Sequence, residues 1–481
     1  MTILNTLKNH SIEYSDKCAL IEGERHVTYS QLWSNICKAA SYYSRSNSKG
    51  DRVILSASKS IDFVFSYFGA QLAGLITLPI DPSINELRLN RIITSAHPEG
   101  IYGTLFQKDL PIDVTPFPDL TEEIESTFDT PSSDEIADIL FTTGTTGLPK
   151  GVVLTHGNEY ATACNINEFI KNTSEDVELL ALPISHSFGL GRMRCTLVKG
   201  GTVVILGSFA NVKRFFKEIE KHHVTGFGMV PASWEYIKKM SGDKLSTYAN
   251  QLHYIEIGSA PMSKDEKTHL SSLLPTTRIC MHYGLTEASR CTFLNFHEDM
   301  EHINSIGKPT PNVDIRIYSE EGQPLPPLKE GEICAKGGNV CYDYWGNHHD
   351  EYINSFYEGY FRTGDWGYMS EDGYFYLISR KKELINVGGK KLSPLEVEEV
   401  INSIPGIQES ACIGIQDNVL GEAVKAFVVR TDTNLTPDQI LDICRHQLEG
   451  YKVPTQIEFI DKLPKTSSGK LQRLLLNNNG K

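Results

Sequence analysis

Apolar positions in this chain fall into short continuous runs and helical stripes. Ile136-Ala137-Asp138-Ile139-Leu140-Phe141 is a short apolar run and predicts a strand. Small polar residues and glycines follow from Thr142 to Gly151, and Val152-Val153-Leu154 predicts a second strand. Thr155-His156-Gly157-Asn158 predicts the start of the next helix. Between Asp62 and Asp81 no residue is charged, a length that raises the question of a membrane span. Ser66, Gly69, Gln71, Gly74 and Pro79 interrupt the stretch. The pattern therefore predicts a buried helix ending near Gly74 and a short strand from Leu75 to Pro79.

The last hundred residues read as a unit of their own. Ser393-Pro394 predicts a helix start, with Glu396, Glu398 and Glu399 placed against the helix dipole. Val397, Val400, Ile401 and Ile404 form its apolar stripe, and Pro405-Gly406 stops it. Ala411 to Ile415 and Ala423 to Val429 predict strands. Thr436-Pro437-Asp438 opens a helix with Ile440, Leu441, Cys444 and Leu448 on one face, and Ile457 to Ile460 predicts a last strand. Alternating strands and helices predict a small α/β domain. Residues 108–135, rich in Pro, Asp, Glu, Ser and Thr, predict an irregular surface connection.

With 481 residues and 22% charged residues, composition is that of a globular protein with ample chain for real cores. The net charge of −14 disfavours a large nucleic-acid or anionic-membrane footprint but leaves room for a local phosphate site. None of the ten cysteines forms a Cys-x-x-Cys pair, so neither a zinc ribbon nor a disulfide framework is indicated. The start lacks a signal peptide's apolar region, and reduced cysteines in a cytoplasm are the expectation.

The segment Thr142-Thr143-Gly144-Thr145-Thr146-Gly147-Leu148-Pro149-Lys150-Gly151 concentrates four hydroxyls, three glycines and a lysine. Glycines admit an anion close to the main chain, hydroxyls add donors, and Lys150 adds a point charge, which together suit a polyphosphate. It is not a Walker A loop, because Lys150 is followed by Gly151 rather than by Ser or Thr.

This loop resembles that of the AMP-forming adenylating enzymes, which include acyl-CoA synthetases, luciferases and the adenylation domains of peptide synthetases. Further segments resemble that family in its order: His282-Tyr283-Gly284-Leu285-Thr286-Glu287, Tyr360-Phe361-Arg362-Thr363-Gly364-Asp365, Arg380-Lys381-Lys382-Glu383-Leu384-Ile385 through Gly388-Gly389, and Pro464-Lys465-Thr466-Ser467-Ser468-Gly469-Lys470. The resemblance implies an α/β fold with a large N-terminal domain, 1–380, of two parallel-type sheets and a small β-barrel. A small mobile C-terminal α/β domain, 383–481, follows a hinge at 380–382, with Lys382 as the hinge residue.

The resemblance also implies roles. Thr142, Thr143, Gly144, Thr145, Thr146, Gly147 and Lys150 hold the ATP phosphates. Ser259, Ala260, Pro261, His282, Tyr283 and Gly284 flank the adenine, and Asp365 and Arg380 belong to the nucleotide site. Thr286 and Glu287 serve catalysis, Glu287 through Mg²⁺ carried by the phosphates. Lys470 bridges the substrate carboxylate and the α-phosphate. Gly388, Gly389 and Lys390 face the pantetheine arm of a thiol, expected to be CoA. Outside this context a Thr-Glu pair reads as a helix start, Asp365 as a turn residue and Lys470 as a surface lysine.

Leu182 to Gly189 resembles the stretch beside the acid, with His186 where amino-acid-activating relatives place an Asp. That disfavours an α-amino acid, and in acyl-CoA synthetases a residue at this place gates the thiol tunnel. Trp234, Met229 and Val230 are candidates for an apolar wall. Arg192 and Arg194, two apart on a helix, point to nearly opposite sides. The expectation is one arginine in solvent and one on an acidic partner, the functional alternative being a pocket for an acid with a second anionic group. The implied reaction is acyl-AMP formation, then transfer to CoA. Transfer to a carrier protein or an amine, and a non-catalytic nucleotide sensor or scaffold, are the alternatives.

Overall fold

The computed structural model describes residues 1–105, 110–121, 128–143, 149–388, 390–417, 419–465 and 471–476. Packing divides the chain into two compact units. One comprises Met1–Ile315 with Ala335–Phe361, and the other Arg316–Cys334 with Arg362–Lys481. Residues 380–382 lie inside the second unit.

Two sheets build the first unit. One orders its strands Asp343–Tyr344, Pro149–Thr155, Ile136–Thr143, Ile76–Ile80, Arg52–Ser56, Gly100–Tyr102 and Val114–Thr115. The other runs Lys308–Pro309, Thr292–Asn295, Arg278–Tyr283, Tyr254–Ile257, Gly226–Met229, Val177–Leu180, Thr202–Ile205, Cys18–Glu22 and Arg25–Thr28. Both are parallel in their interiors, with antiparallel strands at both edges of the nine-stranded sheet and at the Asp343–Tyr344 edge of the seven-stranded one. Fully buried parallel strands need apolar runs, which explains Ile76–Ile80, buried at every position.

The uncharged stretch folds as its interruptions require. Ser60 caps the helix Ile61–Leu72 by accepting from the Phe63 N–H, and Gly74, at φ +80°, turns the chain into the strand Ile76–Ile80. Among the described residues no helix is long and apolar enough to cross a membrane. The strands Ile136–Thr143 and Pro149–Thr155 pair antiparallel, as strand–loop–strand predicts. Thr155 then caps the helix His156–Ile170 in a reciprocal box with Asn158.

The helix Ser187–Lys199 corrects one expectation. It is buried from Phe188 to Val198, and neither of its arginines reaches solvent. Arg192 is 0% exposed and Arg194 5%. They do point to opposite sides, but the helix contacts strands of both sheets, so each side is interior. Arg192 meets Glu178 at 2.7 Å and Glu256 at 3.2 Å, on strands of the nine-stranded sheet. Arg194 meets Asp138, on the seven-stranded sheet, and Glu159 at 2.8 Å, on the helix His156–Ile170.

In the second unit, Ile407–Asp417 and Gly421–Arg430 form a long antiparallel pair, extended by Gln456–Phe459 in parallel and by Ile385–Val387 and Lys390–Leu392. Val397 and Ile401 of the helix Pro394–Asn402, with Ile404 just beyond its end, pack on Cys412, Val424, Val428 and Ile440. Each fully buried branched aliphatic there contributes about 1.5–3 kcal/mol. Ser393 precedes that helix but does not cap it: its hydroxyl donates to the Ile378 carbonyl at 2.6 Å. The helix starts instead from the fixed φ of Pro394.

Candidate active site

Parallel strands deliver their following loops to one edge, and open α/β sheets bind ligands there. Tyr254–Ile257 and Arg278–Tyr283 are parallel neighbours, with Ile257 beside Met281. Gly258 to Pro261 and Tyr283 to Glu287 therefore emerge side by side. Ser259 holds φ +75°, a left-handed conformation that costs a non-glycine residue free energy. Beyond Gly284 the chain doubles back, the Leu285 N–H donating to the Ala288 carbonyl at 2.9 Å. The Glu287 carbonyl accepts from the Cys341 N–H at 2.7 Å, which anchors the segment bearing Thr286 and Glu287.

The hairpin sets Thr142 opposite Lys150 and Thr143 opposite Pro149. Gly144, Thr145, Thr146 and Gly147 lie outside the described residues. Lys150 donates to Glu351 at 2.8 Å, and its ammonium lies 3.6 Å from the centre of the Tyr344 ring. Burial first, and then the Glu287 charge, push the Tyr344 hydroxyl pKa up. Tyr344 thus has the loop lysine on its face and the candidate metal carboxylate within electrostatic reach of its hydroxyl. Thr286 and Ser187 share a small recess with Glu159, Arg194 and Asn339.

His282 is mostly buried, with Nδ1 2.7 Å from Glu256. Burial lowers the imidazole pKa, with Glu256 opposing, so the neutral ring is the species in place. Its ring stands edge-on to Phe188, 4.6 Å between centres. A Cβ on Gly258 would lie 2.1 Å from the His282 ring, so only glycine lets the two strand ends approach. Burial opposes the Glu256 charge, but Arg290, His282 and Arg192 hold its carboxyl well below the usual carboxylate range. His186 sits at the N-cap of Ser187–Lys199 without capping it. Its rim is open to solvent, yet surrounding protein and then the Arg88 charge lower its pKa, against Asp81. Trp234 lies in the core with its indole N–H donated to Glu266 at 2.7 Å, and Met229 is fully buried.

The second unit holds the remaining candidates. Asp365 and Arg380 face each other across an antiparallel pair, Nε to Oδ1 2.8 Å. Lys382 lies on the single 3-10 turn Lys381–Glu383. The Gly388 N–H, at φ +59°, donates to the Leu420 carbonyl at 2.8 Å, and the Lys390 ammonium lies 4.7 Å from the centre of the Tyr451 ring. Gly389 and Lys470 lie outside the described residues, and Lys465 and Leu471 pair as an antiparallel bridge.

Residues 7–345 match the AMP-binding enzyme family, and residues 396–470 match the AMP-binding enzyme C-terminal domain. The chain belongs to the AMP-binding enzyme family. Within that family it is similar to a feruloyl-CoA synthase of Amycolatopsis sp, 30% identical with 94% of each chain covered. It is also similar to a long-chain-fatty-acid–CoA ligase of Bacillus subtilis, 31% identical over 98% of this chain and 93% of the other. Among solved structures of the family, the o-succinylbenzoate CoA synthetase of Bacillus subtilis in complex with its acyl-adenylate intermediate superposes with a TM-score of 0.90. That pair is 26% identical, with 99% of this chain and 98% of the other covered.

As a candidate metal position in this AMP-binding enzyme, Glu287 offers one half-buried carboxylate beside the Thr286 hydroxyl. Among the described residues no group of three or more His, Cys, Asp or Glu forms a metal site. That donor set fits Mg²⁺, which takes most of its oxygens from substrate phosphates and water. Sequence reasoning missed Glu256, Arg290, Tyr344 and Glu351. Glu256 had a readable signal: like Glu178 and Asp138, it is a carboxylate inside an otherwise apolar strand, which demands a buried cation.

Proposed function

We propose that this chain joins a carboxylic acid to AMP, releases pyrophosphate, and passes the acyl group to CoA. In type it is an AMP-forming acid–CoA ligase. One observation carries the site reading: two adjacent parallel strand ends set Ser259–Pro261 beside Tyr283–Glu287, in the unit whose Lys150 ammonium lies over the Tyr344 ring. In this reading 142–150 grips the triphosphate tail, Asp365 and Arg380 serve the nucleotide, and Lys470 meets the carboxylate and α-phosphate as negative charge builds. Such positioning and charge stabilisation supply most of the rate. Mg²⁺ held by Glu287 and the phosphates would neutralise the leaving pyrophosphate.

For the second step, Lys382 is the proposed hinge between 1–380 and 383–481, and Gly388, Gly389 and Lys390 the proposed strand for the pantetheine arm. Arg192 and Arg194 do not mark a pocket for a second anionic group. Both are buried against internal carboxylates, so neither offers a cation to a second anionic group.

Acid-dependent ATP–pyrophosphate exchange across fatty, aryl, hydroxy and dicarboxylic acids tests the reading. Exchange is expected with at least one class of acid, and Lys470→Ala is expected to slow it about 10²–10³-fold. Full-speed exchange in that variant, or no exchange with any acid, refutes the corresponding part. Lys382→Pro is expected to spare exchange and suppress CoA consumption; equal loss of both counts against the hinge.

A further inference from the structure

Arg290 follows directly on the Thr286–Glu287 segment but is 2% exposed and aimed inward. Its Nε donates to Glu256 at 3.1 Å. Nη1 donates to the Ser187 carbonyl at 3.0 Å and the Ser289 hydroxyl at 3.1 Å, and Nη2 to the Phe188 carbonyl at 3.1 Å. The guanidinium also lies 5.0 Å from the centre of the Phe188 ring. Glu256 Oε1, which takes the Arg290 Nε–H, is the same oxygen that meets His282.

Two further features accommodate this arrangement. Gly191 interrupts a buried helix where a Cβ would lie 2.8 Å from Arg290 Nη1. Glycine destabilises a helix interior relative to alanine, so its place needs a reason, and the guanidinium is one. Arg290 itself holds φ +51°, a left-handed backbone that long side chains seldom adopt. Two substrate-facing segments, distant in sequence, thus meet on one planar group with fixed donor directions.

We propose that Arg290 is a positioning residue: anchored on Glu256, it fixes the start of the Ser187–Lys199 helix, and with it His186 and Phe188, against the strand end bearing His282 and Tyr283. The proposal rests on the reading above, in which the first segment flanks the acid and the second the nucleotide. Removing the guanidinium frees the acid side. The nucleotide side keeps its Glu256–His282 contact and Arg192.

Arg290→Met and Arg290→Lys test it in the full-length enzyme by two readouts. The first is ATP–pyrophosphate exchange with the preferred acid. In Arg290→Met, KM for the acid is expected to rise at least about tenfold while KM for ATP stays within about twofold, a split that general destabilisation does not produce. Arg290→Lys, with a point charge in place of the fork, is expected to fall between. The second is amide hydrogen exchange, expected to quicken in peptides covering 182–192 and not in those covering 278–283. Should Arg290→Met fail to fold, Gly191→Ala crowds the guanidinium from the helix side and is expected to give the same selective rise. An active wild type with neither readout moved in the variants, or with both KM values rising together, overturns the brace. A wild type inactive with every acid overturns the underlying reading and the proposal with it.

Discussion

Arg192 and Arg194 leave one helix in opposite directions, and the two clusters they enter differ in kind. The Arg194 side is closed in its contacts, although Arg194 and Glu159 also line the recess that holds Thr286. Asp138, Glu159 and Tyr67 take one guanidinium, and Gln71 and Thr77 complete the Asp138 carboxylate. Burial works against the Arg194 charge, but Glu159, Tyr67 and Asp138 outweigh it and raise its pKa, whereas burial raises that of Glu159. The Arg192 side is open-ended. Glu178 and Glu256 receive Arg192, and Glu256 passes the chain of contacts on to Arg290, His282 and the strand end of the candidate site. A buried charge cluster can thus hold two layers together, or position side chains for chemistry. The difference lies in where its last contact ends.

The largest expected effect breaks the closed cluster. Arg194→Met leaves two buried carboxylates around an apolar chain and is expected to cost about 3–5 kcal/mol, read by urea denaturation. Adding Asp138→Asn and Glu159→Gln is expected to recover part of that loss, because the uncompensated charge is the main penalty. A cost under about 1 kcal/mol would show that water reaches the cluster.

Next comes pH. His156, packed on the same side and 2% exposed, has its pKa lowered to about 4 by burial, against the pull of Asp138 and Glu135. The unfolded chain takes up this proton near pH 6.5 and the folded chain only near pH 4. Stability is therefore whole above pH 6.5 and falls by up to about 3 kcal/mol as pH drops through that window. His156→Gln is expected to flatten this part of the profile; an unchanged slope would assign it to other groups.

A smaller effect is expected on the open side. Gly258→Ala drives a methyl into the His282 ring and is expected to cost about 1–3 kcal/mol while raising KM for ATP. A loss of stability with an unaltered KM would make the open cluster as purely structural as the closed one.

Much of the fold was legible. The uncharged stretch resolved into the helix Ile61–Leu72 and the strand Ile76–Ile80, and the two apolar runs around Thr142–Gly151 into paired strands, because interrupting polar residues and local periodicity act over a few positions. Thr155 and Thr436 cap their helices as read, since capping needs only three residues. Ser393 did not, because a carbonyl fifteen residues back competes for its hydroxyl. Arg192 and Arg194 were misjudged for a related reason. Helical spacing told that they diverge, but only the layers on both sides of the helix tell that neither direction is solvent.

By itself, the order of residues determined the family, the hairpin loop and the stripes that build each layer, because these depend on contiguous residues and regular periods. The tertiary structure alone decided that Glu256 on one strand, Arg290 beyond another and the carbonyls of Ser187 and Phe188 form one joint. Those groups are 34 and about 100 residues apart, and no local rule relates them. Their meeting follows from which strands lie side by side and from a desolvated carboxylate's need for a cation.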